Sequence, residues 1–161
     1  MLPEVLICED DFNLDKEYKL LCQHAPKSGA VVLFIGLVRD MYQDASSGDQ
    51  IEYIELQHYA GMTELLCQKI VEQARQQYQI EVARIVHRVG RINPGEQIVL
   101  VGVASQHRRN AFDAAQFIMD YLKTRATIWK KEVGTRGEYW VGLNDKDSTA
   151  AKRWSDASET N

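Results

Sequence analysis

Two stretches of the chain are apolar at nearly every position: residues 30–38 (AVVLFIGLV) and 97–104 (QIVLVGVA). Runs of this length, rich in β-branched residues, predict strands buried on both faces. Gly36 interrupts the first run and predicts a bulge, or a close approach of another backbone or a ligand. Shorter strand patterns fall at 4–9, 51–59, 80–89 and 126–133, and a turn at 134–137 leads into a further strand at 138–143. The turn at 90–96 (GRINPGE) makes the strand before it a hairpin partner of 97–104.

Helical spacing appears three times. Over 15–24 it places Tyr18, Leu21 and Cys22 on one face. Over 61–78 it lines up Leu66, Ile70 and Ala74, with Leu65 and Cys67 flanking and Thr63 suited to cap the N-terminus. Over 109–124 a buried stripe of Ala111, Ala115, Ile118 and Leu122 opposes a polar line of Asp113, Gln116, Asp120 and Lys123. Residues 41–50 (MYQDASSGDQ) read as a polar loop, and from Asn144 the chain reads as a polar, frayed tail. Hairpins mixed with helices, without a regular βαβ rhythm, predict an α+β fold. One domain, 1–143, with a tail at 144–161 accounts for the length.

Composition narrows the functional classes. The 161 residues are 45% hydrophobic and 26% charged, enough for a real core. A formal net charge of -4 argues against a general nucleic-acid binder, so any anion site must be local. Cys8, Cys22 and Cys67 are widely spaced and odd in number, which fits neither a disulfide framework nor a zinc site and favours a reducing, cytoplasmic setting. No apolar run reaches the roughly 18 residues that span a bilayer. There is no P-loop, no GxGxxG and no metal-ligand spacing.

Against this acidic background, residues 105–132 gather His107, Arg108, Arg109, Lys123, Arg125, Lys130 and Lys131. His107 and Arg108 stand between a buried strand and a helix start, where backbone N–H groups and an arginine fork suit a phosphate. A solvated basic turn explains the same residues. Lys123 closes the helix and Lys130 lies beyond a chain reversal. If the two ammonium groups converge, each lowers the other's pKa and frees an amine for acid–base or nucleophilic work. The plainer account is a helix-end lysine paired with Asp120 one turn back. Arg39 ends a core strand, as a clamp or as the partner of an acid. Tyr42, Trp129, Trp140 and Trp154 stand near polar or terminal segments, as pocket, partner surface or ordinary core.

The segments GAVVLFIGLVRD (29–40), LQHYAGMTE (56–64), HRVGRINPGEQIVLVGVASQHR (87–108) and AFDAAQFIMDYLKTRATIWKKE (111–132) together resemble the large, catalytic subunit of molybdopterin synthase. The resemblance spans nearly all of 29–132. It implies a hammerhead-like α+β fold, with a mixed or antiparallel sheet packed by helices and a smaller β-hairpin subdomain. It implies a homodimer that binds two copies of a small ubiquitin-like sulfur carrier, forming a heterotetramer. The carrier's Gly-Gly tail would enter as a thiocarboxylate, and sulfur would pass to cyclic pyranopterin monophosphate (precursor Z) to form the dithiolene of molybdopterin. No metal or organic cofactor is implied. Carried over by motif, the catalytic lysines are Lys123 and Lys130. The substrate-binding set is Leu37, Val38, Arg39, His107, Arg108, Lys123, Lys130, Lys131 and Glu132. Three departures stand out: Leu37 where relatives often carry a polar or basic residue, Thr127-Ile128 in place of a proline–aromatic pair, and the extra arginine Arg109. A dimeric module that docks a ubiquitin-like protein without chemistry is the competing reading.

Overall fold

The computed structural model describes residues 2–39, 50–142 and 145–156. The loop expected around 41–50, with Tyr42, lies almost entirely outside the described residues. In chain order the elements are β1 (Val5–Cys8), α1 (Leu14–His24), β2 (Ala30–Leu37), β3 (Ile51–His58), α2 (Met62–Tyr78), β4 (Ile80–Arg88), β5 (Gly90–Ile92), β6 (Gln97–Ser105), α3 (Arg108–Arg125), β7 (Ile128–Gly134), β8 (Gly137–Val141) and α4 (Asp145–Asp156). They build two four-stranded sheets, ordered β1-β4-β6-β2 and β5-β3-β7-β8. In the first, β1 runs parallel to β4 and the other pairs are antiparallel. The second is antiparallel throughout. The α+β expectation, with a mixed sheet and a smaller antiparallel unit, matches this architecture.

β6 is the spine of the first sheet. Its alternate residues Val99, Val101 and Val103 enter a cluster with Ile70, Val71 and Ala74 of α2 and Ala111, Ala115, Ile118 and Leu122 of α3. From the other side of the strand, Leu100 packs with Phe12 and Val86. A strand with apolar neighbours on both sides reads as a continuous apolar run, and β6 does. On the α1 side, a side chain at Gly102 would collide with Leu21, so a bare backbone there lets α1 settle onto the sheet.

β2 departs from expectation. It pairs only with β6 and is an edge strand, with Phe34 42% and Leu37 53% exposed. Ala30 and Val32 pack on the α2–α3 core and Ile35 on the Phe12 cluster, so the run is apolar as a buried strand would be, while Phe34 and Leu37 lie exposed at the free edge. Gly36 does mark an irregularity: the register to β6 shifts between Gly36 and Leu37, and a Cβ at Gly36 would lie 2.7 Å from Val99 Cγ1.

Several local expectations are corrected. In α1 the buried positions are Glu17 and Leu21, whereas Tyr18 and Cys22 are exposed. In α2 the cap is Gly61, whose N–H donates to the Glu64 carboxylate at 2.7 Å. Thr63 lies inside that helix and is fully buried, and Leu65 is exposed. The turn at 90–96 contains β5, which pairs with β3. Within the tail expected to fray from Asn144, residues Asp145–Asp156 form α4, and 144 and 157–161 lie outside the described residues. Trp154 packs edge-on against Phe117 and Tyr78, and its indole N–H donates to Asp120 at 2.8 Å. Trp129 and Trp140 are exposed.

Beneath α1 the sheet carries a buried ion pair. Arg84 of β4 donates from Nε to Glu17 Oε2 at 2.8 Å and from Nη2 to Oε1 at 3.4 Å, and also reaches the Pro3 carbonyl. Glu17→Ala would strand a buried guanidinium, at a cost of about 3 to 5 kcal/mol. Replacing both partners, Glu17→Leu with Arg84→Met, should cost less than that single change. Urea unfolding of the two variants beside the wild type checks the order.

His87 gives a pH signature. Burial pushes its imidazole down to about 4, against the opposing hydrogen bond to the Arg88 carbonyl. The unfolded chain takes up a proton near pH 6.5 and the folded chain only near pH 4. Stability is therefore full above pH 6.5 and falls as pH drops through that window, by up to about 3 kcal/mol from this group. His87→Gln should flatten the urea midpoint between pH 6.5 and 4.

Candidate active site

The direction of β6 decides which predicted site residues meet. β2 and β6 are antiparallel, with Ala30 opposite Ser105 and Leu37 opposite Gln97. Arg39 therefore leaves one end of this pair and His107 the other, roughly 23 Å apart at about 3.3 Å per residue. α3 starts at the Ser105 end and packs back over β6 and β2. From Arg108 to Lys123 it travels roughly 22 Å, at about 1.5 Å per residue, which returns Lys123 to the Arg39 end. The second sheet joins at that same end. β5 follows β4 there, and Val38 packs in one cluster with Ile54, Leu56, Ile92 and Ile128, the first residue of β7.

Arg39 is aimed by a pinned neighbour. Val38 is buried, its N–H donates to the Glu96 carbonyl at 2.9 Å, and its carbonyl accepts from the Gly95 N–H at 2.8 Å. The turn at 93–96 thereby holds the strand end from which the exposed Arg39 projects. Leu37 sits beside it with an apolar, half-exposed side chain.

Lys123 occupies the last turn of α3, where a cation complements the helix C-terminus. The side chain is 55% exposed, and its Nζ lies 3.6 Å from Asp147 Oδ1 of α4. Asp120, the expected partner, is instead taken by Arg153 at 2.5 Å and by Trp154. Lys130, on β7, has its Nζ 2.9 Å from Glu132 Oε1. Alternation along the strand puts Lys130 and Glu132 on one face and Lys131 on the other. Lys131 is engaged there by Glu55 at 3.7 Å and Glu138 at 3.2 Å, and lies 5.6 Å from the Trp140 ring centre. The Glu138 hydrogen bond holds its ammonium above the ordinary value. Lys131 was expected to line the same pocket as Lys130, and the pleat turns it away.

The topology thus brings Leu37, Val38, Arg39, Lys123, Lys130 and Glu132 to one end of the chain. It does not bring His107 and Arg108 there. Both are exposed at the start of α3, with no acidic residue in the first helical turn and an extended backbone at His107. That surface suits an anion, but in one chain it stands at the opposite end from Arg39. Arg109 lies 3.8 Å from Asp113 and is almost wholly exposed.

Asp147 carries no sequence signal of its own, because the polar composition after Asn144 predicts a tail and not the helix that brings it to Lys123. Local pattern also misplaces Thr63, whose hydroxyl bonds Thr127 between the two lysines. Among the described residues, no group of three or more His, Cys, Asp or Glu could hold a metal ion, and no helix is long and apolar enough to cross a membrane.

Comparisons with known proteins agree with one another. The model of the family described as MoaE protein matches residues 7–125. The molybdopterin synthase catalytic subunit of Vibrio cholerae is 45% identical over 150 residues, covering 93% of this chain and 97% of that one. Among solved structures, the molybdopterin biosynthesis MoaE protein of Burkholderia ambifaria superposes with a TM-score of 0.80 at 41% identity, over 96% of this chain and 99% of that one. The molybdopterin synthase of Staphylococcus aureus gives a TM-score of 0.78 at 28% identity, over 88% and 98%.

Proposed function

The chain belongs to the MoaE protein family, and on that premise we propose that it is the catalytic subunit of a molybdopterin synthase, acting as a sulfurtransferase in the cytoplasm. Its donor is the C-terminal thiocarboxylate of a small ubiquitin-like carrier, and its acceptor is cyclic pyranopterin monophosphate. Each transfer forms a carbon–sulfur bond on the pterin side chain. The carrier's thiocarboxylate becomes a carboxylate, its new oxygen drawn from water or from the displaced substrate oxygen. The chemistry moves protons and develops negative charge, which are tasks for positioned amines.

The observation that carries this reading is the return of α3, which delivers Lys123 to the end of the chain that also holds Arg39 and Lys130. Lys123 serves as acid and base, or as a transient covalent group. Lys130 assists and holds the charge that develops as sulfur adds. Arg39, with Leu37 and Val38 beside it, orients the anionic pterin, while Glu132 holds Lys130. His107 and Arg108 bind the phosphate.

The separation of Arg39 from His107 and Arg108 has a direct consequence. One protomer spans too great a distance to place both sets on one small substrate, so the site takes Arg39 and the lysines from one protomer and the HR pair from its partner. A homodimer supplies this, and the uncovered apolar residues of β2 and β8, including Phe34 and Trp140, provide surface for the partner copy and the carrier. A docking-only module would need those apolar surfaces but not the cations gathered beside them.

Reconstitution with thiocarboxylated carrier and cyclic pyranopterin monophosphate, with product measured by mass, tests the assignment. Lys123→Ala should lose at least about 100-fold in rate while staying folded. Normal yield from that variant would remove the lysine from the chemistry. A mixed dimer of an Arg39→Ala protomer and a His107→Ala/Arg108→Ala protomer should regain about half of wild-type activity, because one of its two symmetric sites is intact. Each homodimeric variant should be inactive, and a mixed dimer as inactive as either parent would place both sets within single protomers.

A further inference from the structure

The chain between Lys123 and Lys130 leaves α3 at Ala126, passes Thr127 and enters β7 at Ile128. Thr127 is held there by hydrogen bonds to Thr63. The Thr63 hydroxyl, fully buried in the first turn of α2, lies 3.1 Å from the Thr127 carbonyl oxygen, 2.8 Å from the Thr127 hydroxyl, and 3.2 Å from the Tyr59 backbone nitrogen. A hydroxyl has one proton and two lone pairs. The assignment that satisfies all three contacts sends the Thr63 proton to the Thr127 carbonyl. Thr63 Oγ1 then accepts the Thr127 O–H and the Tyr59 N–H, and its capacity is filled. Thr63 is buried while Thr127 is half-buried, so the hydroxyl anchors the reversal from the core side, and removing it leaves the Tyr59 N–H and the Thr127 groups without that partner.

This network joins the parts that set the two lysines. Tyr59 directly follows β3, and β3 fixes the register of β7: His58 pairs with Ile128 and Leu56 with Lys130. Thr127 directly precedes that register and follows the helix end that carries Lys123. We propose that Thr63 is a positioning residue for sulfur transfer: by holding both polar groups of Thr127, its hydroxyl fixes the reversal that sets Lys123 against Lys130. The proposal rests on the reading of these two lysines as the reacting amines. It also accounts for a threonine at 127. A proline there would fix φ covalently; Thr127 is held instead by Thr63.

The backbone at this point permits a rescue. Ala126 has φ −69° and ψ 133°, the conformation favoured before proline. Among the described residues the Thr127 N–H donates to no backbone carbonyl. Proline at 127 can therefore stiffen the reversal without removing a backbone bond.

The experiment compares Thr63→Val, Thr63→Ser, Thr63→Val/Thr127→Pro and Lys123→Ala in the dimer with carrier, reading kcat at saturating carrier and pterin, carrier affinity and Tm. Thr63→Val keeps the shape and loses the hydroxyl. Its kcat should fall roughly 10- to 100-fold with carrier affinity unchanged, the range expected for an ångström-scale misplacement of reacting groups. Thr63→Ser should stay near wild type, and the proline double variant should recover most of the lost kcat. Wild-type kcat in Thr63→Val, or a loss that neither serine nor proline restores, overturns the positioning role. If Thr63→Val does not fold, Thr127→Val removes one of the same bonds and carries the same kcat criterion. Full activity in Lys123→Ala would sink the lysine reading itself; an inactive Lys123→Ala beside a fully active Thr63→Val would sink only the proposal about Thr63.

Discussion

Burial of β6 on both faces is the constraint from which the rest follows. A strand sandwiched between α1 and the α2–α3 layer cannot slip or reverse without exposing Val99, Val101 and Val103 or Leu100. Its direction then dictates that β2 delivers Arg39 to one end and that α3 begins at the other. α3 must cover the sheet to bury its alanine and isoleucine stripe, and covering the sheet carries Lys123 back. The placement of the cations is a by-product of hydrophobic packing, and it requires no favourable contact between the cations themselves.

Electrostatics then work locally on what packing has delivered. Lys123 and Lys130 each face a carboxylate, Asp147 and Glu132. An exposed pair such as Lys123 with Asp147 contributes little to stability, on the order of 0 to 1 kcal/mol, and is open to exchange for another anion. The Lys130–Glu132 pair is closer, at 2.9 Å, and its carboxylate is more enclosed, so it is the less exchangeable of the two. The buried Arg84–Glu17 pair is the opposite case, because it is enclosed beneath α1 and far costlier to break.

Much of this was legible in the sequence. The stripe of α3 and the double-sided burial of β6 followed from period and composition, since both elements are packed on the surfaces their patterns advertise. Gly36 announced its irregularity correctly. The errors share a physical cause, in that tertiary partners decided what local pattern could not. β2 has the same apolar run as β6, yet it is an edge strand that leaves Phe34 and Leu37 exposed. Thr63 has the chemistry of a helix cap, but Gly61 takes that place and the threonine hydroxyl is claimed by Thr127, distant in sequence. The segment after Asn144 is polar enough to read as a tail, but Trp154 anchors it against Phe117. Strand alternation sends Lys131 away from Lys130, although the two are adjacent in sequence. The distance between Arg39 and the HR pair depends on strand direction, which no motif spacing encodes.

The proposed site holds one small anionic substrate between the lysine end of one protomer and the HR end of another. A crystal structure of the dimer with cyclic pyranopterin monophosphate bound tests it most directly. The pterin should lie beside Lys123 and Lys130 of one chain, with its phosphate in hydrogen-bond reach of the partner's Arg108. A pterin bound wholly within one protomer, or away from both lysines, would contradict it.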